Sequence, residues 1–171
     1  AERSESGVPT AVFNYETGRV LMHVMIGVDP HKASHTAVAI DGGETELSKL
    51  RVSAGVRQAE ELLAWAARFE QRTWAVESAG GLGKLVAQQL LAAGEHVVDV
   101  PPTLSARVRL LGSTKAGKND GNDALATAIA GLRHCGLRAV HADDHTAVIR
   151  ILIDRYGPKR VILSFLLVAV G

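Results

Sequence analysis

His23-Val24-Met25-Ile26-Gly27-Val28-Asp29-Pro30 is the stretch on which the fold of this chain turns. The run from His23 to Val28 is largely apolar and Asp29-Pro30 closes it, as expected of a buried strand stopped by proline. Ser34 to Ile40 reads as a second strand, ended by the turn residues Asp41-Gly42-Gly43, and Leu47 to Val52 as a weaker third. Strands this closely spaced predict an antiparallel meander at the start of a sheet. Upstream, residues 1–22 carry no sustained period and read as a loosely attached leader.

Beyond Val52 the pattern changes to helix alternating with strand. Gln58 to Phe69 places Leu62, Trp65, Ala66 and Phe69 on one helical face, and Thr73 to Val76 is a strand ending in Glu77. Leu82 to Ala93 is expected to be helical, with Leu82, Leu85, Val86 and Leu90 facing inward and Gly94 terminating it. His96 to Val100 is the next strand, stopped by Pro101-Pro102. Asn122 to Leu132 repeats apolar residues at Leu125, Ala128, Ile129 and Leu132, and a last helix runs near His145 to Tyr156 until Gly157-Pro158. The order β-β-β-α-β-α-β-α describes an α/β domain over 23–156, a mixed sheet flanked by helices with a ribonuclease H-like layout. Residues 157–171 follow as an apolar tail.

Composition narrows the function classes. With 171 residues, 47% hydrophobic and 22% charged, the chain can bury one real core. A net charge of +1 means that any basic surface is local. The sole cysteine, Cys135, leaves no disulfide framework or multi-cysteine zinc site and suits a reducing cytoplasm. No secretory signal is evident, and the longest apolar stretch, Val161 to Val170, falls well short of the roughly 20 residues that cross a bilayer, so no membrane partner is expected.

Four carboxylates carry the chemistry. Asp29 and Glu77 end apolar strands, and Asp120 and Asp123 open a helix three residues apart, on one face. Each has an ordinary alternative: Asp-Pro forms turns, and acidic residues in a first helical turn favour the macrodipole. Glu77 is the hardest to set aside, since a buried strand should end on an apolar or small residue there. Together they suggest a cation site, because crowded carboxylates raise one another's pKa unless a cation neutralises them. Oxygen donors without histidine or thiolate select Mg²⁺ or Mn²⁺, and two-metal phosphoryl transfer on nucleic acid is the chemistry they best support.

Two phosphate-binding alternatives fail on particular residues. Glu77 to Lys84 approximates a dinucleotide fingerprint with Asp99 ending the next strand, but Val86 replaces the third glycine and Glu77 would face the pyrophosphate. Gly112 to Asn119 is close to a P-loop, but Asn119 replaces the magnesium-binding hydroxyl, and Ser105 to Leu111 is no convincing strand. That segment reads instead as a flexible basic loop. Between Asp99 and Asp120 no acidic residue occurs, whereas Arg107, Arg109, Lys115 and Lys118 all do, and with Lys32 they are the candidate nucleic-acid contacts. A solvated charged surface is the plain alternative. At 4% aromatic residues, base stacking is not indicated.

Three motifs in order, Ile26-Gly27-Val28-Asp29-Pro30-His31-Lys32, Ala75-Val76-Glu77-Ser78-Ala79-Gly80-Gly81 and Lys118-Asn119-Asp120-Gly121-Asn122-Asp123-Ala124, resemble the DEDD insertion-sequence transposases of the IS110 group. Their catalytic domain is similar to the RuvC Holliday-junction resolvase. The resemblance spans roughly His23 to Tyr156. It implies that Asp29, Glu77, Asp120 and Asp123 are metal ligands for DNA strand exchange guided by a structured RNA, with a homo-oligomer as the working form. Family members continue into a second domain that supplies a serine nucleophile, and no residue here matches it, since Ser164 lacks the motif. A truncated or isolated transposase domain is therefore expected, either an active one or a non-catalytic nucleic-acid-binding remnant. Gly27-Val28-Asp29 also resembles the first phosphate loop of actin-like ATPases, but their second loop and adenosine motif are missing.

Overall fold

A computed structural model describes residues 11–14, 19–112 and 120–143. By its internal contacts the chain divides into Ala1–His141 and Ala142–Gly171, and the fold is that of the first unit. The helix expected near His145 to Tyr156, the apolar tail, Lys115 and Lys118 lie outside the described residues.

The strands are β1 (Ala11–Asn14), β2 (Arg19–Pro30), β3 (Ser34–Ile40), β4 (Glu46–Ser53), β5 (Gln71–Glu77), β6 (Val97–Val100) and β7 (Arg138–Ala139). The helices are α1 (Gln58–Ala66), α2 (Lys84–Ala92), α3 (Pro102–Gly112) and α4 (Asp120–Arg133). The sheet runs β4-β3-β2-β5-β6-β7, with β1 paired to β2 outside this path. The meander is present, since β2-β3 and β3-β4 are antiparallel. β5 then joins β2 in parallel and β6 joins β5 in parallel. This is the mixed, ribonuclease H-like sheet expected from the order of elements.

Three elements differ from expectation. The first strand begins at Arg19 rather than His23, and Ala11–Asn14 pairs antiparallel with Arg19–Met22, so part of the supposed leader is a hairpin. Ser105 to Leu111, which carried no convincing strand pattern, belongs to a helix, and the loop expected over Gly112 to Asn119 lies, beyond Gly112, outside the described residues. Pro102 opens α3, where its missing N–H is harmless, and Leu104 and Val108, one turn apart, pack against the core. In α2, Leu82 and Leu85 are exposed because the helix starts only at Lys84, and Val86, Ala87 and Leu90 are its buried residues. Gly94 ends that helix as expected, with φ of +85° and the N–H of Glu95 returning to the Leu90 carbonyl at 3.1 Å.

Strand alternation sorts the core into two layers. Val24, Ile26 and Val28 of β2 with Trp74 and Val76 of β5 face Leu62 and Ala66 of α1 and Val86 and Leu90 of α2. Met25 and Ala75 face the other way, against Ala124, Ala128 and Ala130 of α4. Here the packing is unusually close. A Cβ built on Gly27 would stand 2.2 Å from the Ala124 carbonyl oxygen and 2.3 Å from the Ala128 nitrogen, and one on Gly131 would stand 2.6 Å from the Ala75 Cβ. Helix backbone thus lies directly on strand backbone.

The first layer carries a part-buried ionic lock. Arg72 Nε donates to Glu95 Oε2 at 2.9 Å, Trp74 Nε1 donates to the same oxygen at 2.7 Å, and Arg72 Nη1 donates to the Phe69 carbonyl at 2.7 Å just past α1. Burial pushes the Glu95 carboxyl up, but the Arg72 and Trp74 hydrogen bonds and the Arg72 charge outweigh it and hold it below its ordinary 4.5.

Two outcomes follow from this packing. Gly27→Ala should destabilise the protein by about 3 kcal/mol or more, since the Ala124 carbonyl and the backbone nitrogen and Cβ of Ala128 all stand in the way of the added methyl, and chemical denaturation reads the loss. Glu95→Ala should cost about 2–4 kcal/mol by leaving Arg72 and the buried Trp74 N–H without their acceptor. Because the Glu95 pKa is lowered on folding, its contribution is complete above pH 4.5 and fades as pH falls through the native value. Wild type and Glu95→Ala should therefore converge in denaturation curves measured toward low pH.

Candidate metal and nucleic-acid site

The two strand-end carboxylates are neighbours by register. β2 and β5 run parallel with Val28 opposite Val76, so Asp29 and Glu77 each lie one residue beyond that pair. Adjacent strands are about 4.8 Å apart. By alternation both side chains share the face of Met25 and Ala75, the one covered by α4. Asp29 is 5% exposed, and His31 Nδ1 lies 3.4 Å from its Oδ2.

α4 brings the third carboxylate. Asp123 immediately precedes Ala124, whose carbonyl rests over Gly27. Thr127 Oγ1 donates to the Asp123 carbonyl at 2.9 Å and lies 3.3 Å from the hydroxyl of Ser105, a fully buried residue of α3. Asp120 is placed by its backbone, as the first residue of α4.

Electrostatics tie these groups together. Burial pushes the Glu77 carboxyl above its ordinary 4.5, and the negative charge of Asp29 pushes it further. The Arg109 charge and a hydrogen bond from Ser105 work in the opposite direction, and Asp123 adds a smaller upward push. Arg109 Nη1 is 3.2 Å from Asp123 Oδ1. Glu77 therefore feels the charges of Asp29, Asp123 and Arg109 together. Among the described residues, no three histidine, cysteine, aspartate or glutamate side chains form a group that could hold an ion. The donor chemistry still fits a hard dication, because every candidate ligand is a carboxylate.

The turn after Glu77 is built to bring it close. Ser78 has φ of +51°, a conformation that costs about 1 kcal/mol or more outside glycine. Its N–H donates to the Val100 carbonyl at 3.0 Å, and its carbonyl accepts from Gly81 at 2.8 Å and Gly83 at 3.0 Å. Ala79 N–H donates to Asp99 Oδ1 at 2.8 Å. A Cβ on Gly83 would stand 2.7 Å from the Glu77 carbonyl oxygen and 3.1 Å from Pro30 Cγ, whereas Gly80 has open space. Ser105, Ser78 and Asp99 are participants that sequence reasoning missed. For Asp99 a signal existed, a lone acid inside Val97-Val98-Asp99-Val100.

Among the described residues, Arg107 and Arg109 do not share one patch. Arg109 turns to Asp123, whereas Arg107, two residues away and so on another side of α3, lines a groove of about 370 Å³ with Asp99, Thr103, His134 and Arg138. Lys32 is exposed just beyond β2.

The sign of the Glu77 shift gives a stability test. A carboxyl raised on folding favours the native state fully below pH 4.5 and loses that contribution as pH rises through the native value. Glu77→Gln should then melt at higher temperature than wild type at about pH 7 in chelator and match it at about pH 4. Equal melting at neutral pH would remove the strain assigned to this carboxylate.

Comparison with known proteins places the chain in a family. The family described as Transposase (DEDD_Tnp_IS110) matches residues 26–156. A protein of Streptomyces clavuligerus, the insertion element IS116 uncharacterized 44.8 kDa protein, is 33% identical over 102 residues, 59% of this chain. The matched region spans 25% of that relative's length. Among solved structures, Thermus thermophilus RuvC in complex with a Holliday junction substrate is similar with a TM-score of 0.52 at 18% identity, covering 69% of this chain and 99% of that one. A second T. thermophilus RuvC structure gives 0.50 at 18%, covering 68% and 99%. At such identity these two likenesses speak for the fold alone. Among the described residues, no helix is long and apolar enough to cross a membrane. With the family matched from the first carboxylate motif through the last, the chain belongs to the DEDD IS110 transposases.

Proposed function

We propose that this domain carries out divalent-metal-dependent phosphoryl transfer on DNA, with Asp29, Glu77, Asp120 and Asp123 as ligands of Mg²⁺ or Mn²⁺. The observation that carries the reading is the meeting of Asp29 and Glu77 on one sheet face, with Asp123 brought to them across Gly27. Bound there, such ions supply an activated nucleophile and stabilise the leaving oxygen. The chain's own contribution is to fix the ligands. Asp29 is held rigidly at the end of a central strand, and Glu77 is set by the Ser78 turn and the Ser105 hydroxyl. Asp123 is aligned in the first turn of α4, where the helix dipole favours its charge.

The DNA substrate comes from the family, and a branched form of it from the junction-bound RuvC likeness. A structured guide RNA and a homo-oligomeric working form belong to the same reading, carried over from the resemblance of the three motifs. Lys32, Arg107 and Arg109, with Lys115 and Lys118, are the candidate phosphate contacts.

Asp29→Asn is the direct test, since it keeps the side chain's volume and removes its charge. The variant should keep the wild-type circular dichroism spectrum and lose at least about 100-fold of any Mn²⁺-dependent cleavage of a synthetic four-way junction. Undiminished cleavage would reject the assignment of Asp29, and metal-independent cleavage by the wild type would reject the chemistry.

A further inference from the structure

Arg109 is a cation set beside these carboxylates. Its Nη1 is 3.2 Å from Asp123 Oδ1, and the side chains are 35% and 15% exposed. Asp123 is thus largely withdrawn from water and relies on the guanidinium, while Arg109 keeps a path outward. Ser105 lies one helical turn before Arg109, hence on the same side of α3, and bonds to Glu77. One face of α3 therefore addresses the carboxylates with a hydroxyl and a positive charge. Arg107 lines a different groove, so Arg109 is not simply one of a basic row.

We propose that Arg109 is the resident counter-charge of the carboxylate cluster, exchanged for a divalent cation whose arrival frees the guanidinium for a DNA phosphate. This rests on the reading of the cluster as a metal site. A dication beside Asp123 repels the guanidinium and removes the attraction that held it. The Arg109 side chain, long and partly solvated, can then swing outward with its fork of donors intact, the geometry that suits a phosphate oxygen pair. Metal and DNA would bind cooperatively, because each takes up a charge that the other would leave unpaired. By linkage the coupling is reciprocal. Arg109 is in this sense a positioning residue, acting on the metal ligands before it acts on substrate.

Mn²⁺ titration of the full chain by calorimetry, with and without a four-way DNA junction, tests this on wild type, Arg109→Gln and Arg109→Lys. Without DNA, Arg109→Gln should bind Mn²⁺ about 10-fold more tightly than wild type, since its competitor is gone. DNA should tighten Mn²⁺ binding in wild type and clearly less in Arg109→Gln, with Arg109→Lys in between. A purely structural arginine would give the opposite, weaker Mn²⁺ binding once removed. If wild type binds Mn²⁺ and Arg109→Gln, shown folded by its circular dichroism, binds it no better, the exchange is overturned while the metal site stands. If neither binds Mn²⁺, the metal site itself fails and the exchange with it. Binding by Arg109→Gln alone would be the strongest support. Should Arg109→Gln not fold, Arg109→Lys decides the matter, because a weaker partner for Asp123 must still give tighter Mn²⁺ binding than arginine does.

Discussion

The approach of α4 onto the centre of the sheet is the contact on which the rest of this domain depends. Where most helix-on-sheet packing is spaced by large side chains, here Gly27 meets the backbone at Ala124 and Ala128, and Gly131 meets Ala75. The helix is accordingly rich in alanine at its buried positions, Ala124, Ala126, Ala128 and Ala130. Close backbone contact gives many short-range dispersion contacts and little room for relaxation. Such an interface fixes position well. Asp123 is one residue from Ala124 and Asp29 two residues from Gly27, so a contact between small residues determines how near two carboxylates come.

The cost of that proximity is electrostatic, and the same sheet shows how differently two glutamates can be treated. Glu95 is largely buried but receives the Arg72 fork and the Trp74 indole, and its carboxyl is held down. Glu77 is half-buried beside Asp29, with Asp123 in range, and its carboxyl is pushed up despite Arg109 and Ser105. Glu95 joins β5, α1 and the end of α2, and its charge is fully matched. Glu77 sits among like charges, with the Arg109 guanidinium also acting on it. A matched carboxylate locks structure, whereas carboxylates crowded together raise one another's pKa.

Much of this was legible from residue order. The short apolar runs His23 to Val28 and Thr73 to Val76 marked the strands, and the carboxylates that end them follow the strand parity onto the α4 face. Gly94 was recognisable as a helix terminator because a positive φ leaves few alternatives. α3 was not legible, since its apolar stripe is little more than Leu104 and Val108, and Pro101-Pro102 signals the end of a strand as readily as the start of a helix. Without that helix, Arg107 and Arg109 looked like one basic run, and their division between two surfaces was invisible. Pairing of Ala11–Asn14 with the start of β2 was hidden for another reason: short strands that lean on a hairpin partner carry little periodic signal of their own.

The Gly-rich turn after Glu77 shows why a motif must be judged by where its backbone donors go. A dinucleotide loop works by leaving N–H groups free at a helix N-terminus for the pyrophosphate. Here Ser78 N–H is spent on Val100, Ala79 N–H on Asp99, and Gly81 and Gly83 N–H on the Ser78 carbonyl, with Lys84 N–H on Gly81. With these five donors committed internally, the turn has fewer to offer a phosphate than a dinucleotide loop does. Of its glycines, Gly83 is the one that space demands, and what it admits is the carbonyl of Glu77 and the ring of Pro30. The local sequence thus serves to draw the ends of β2 and β5 together, which is what a site built on Asp29 and Glu77 requires.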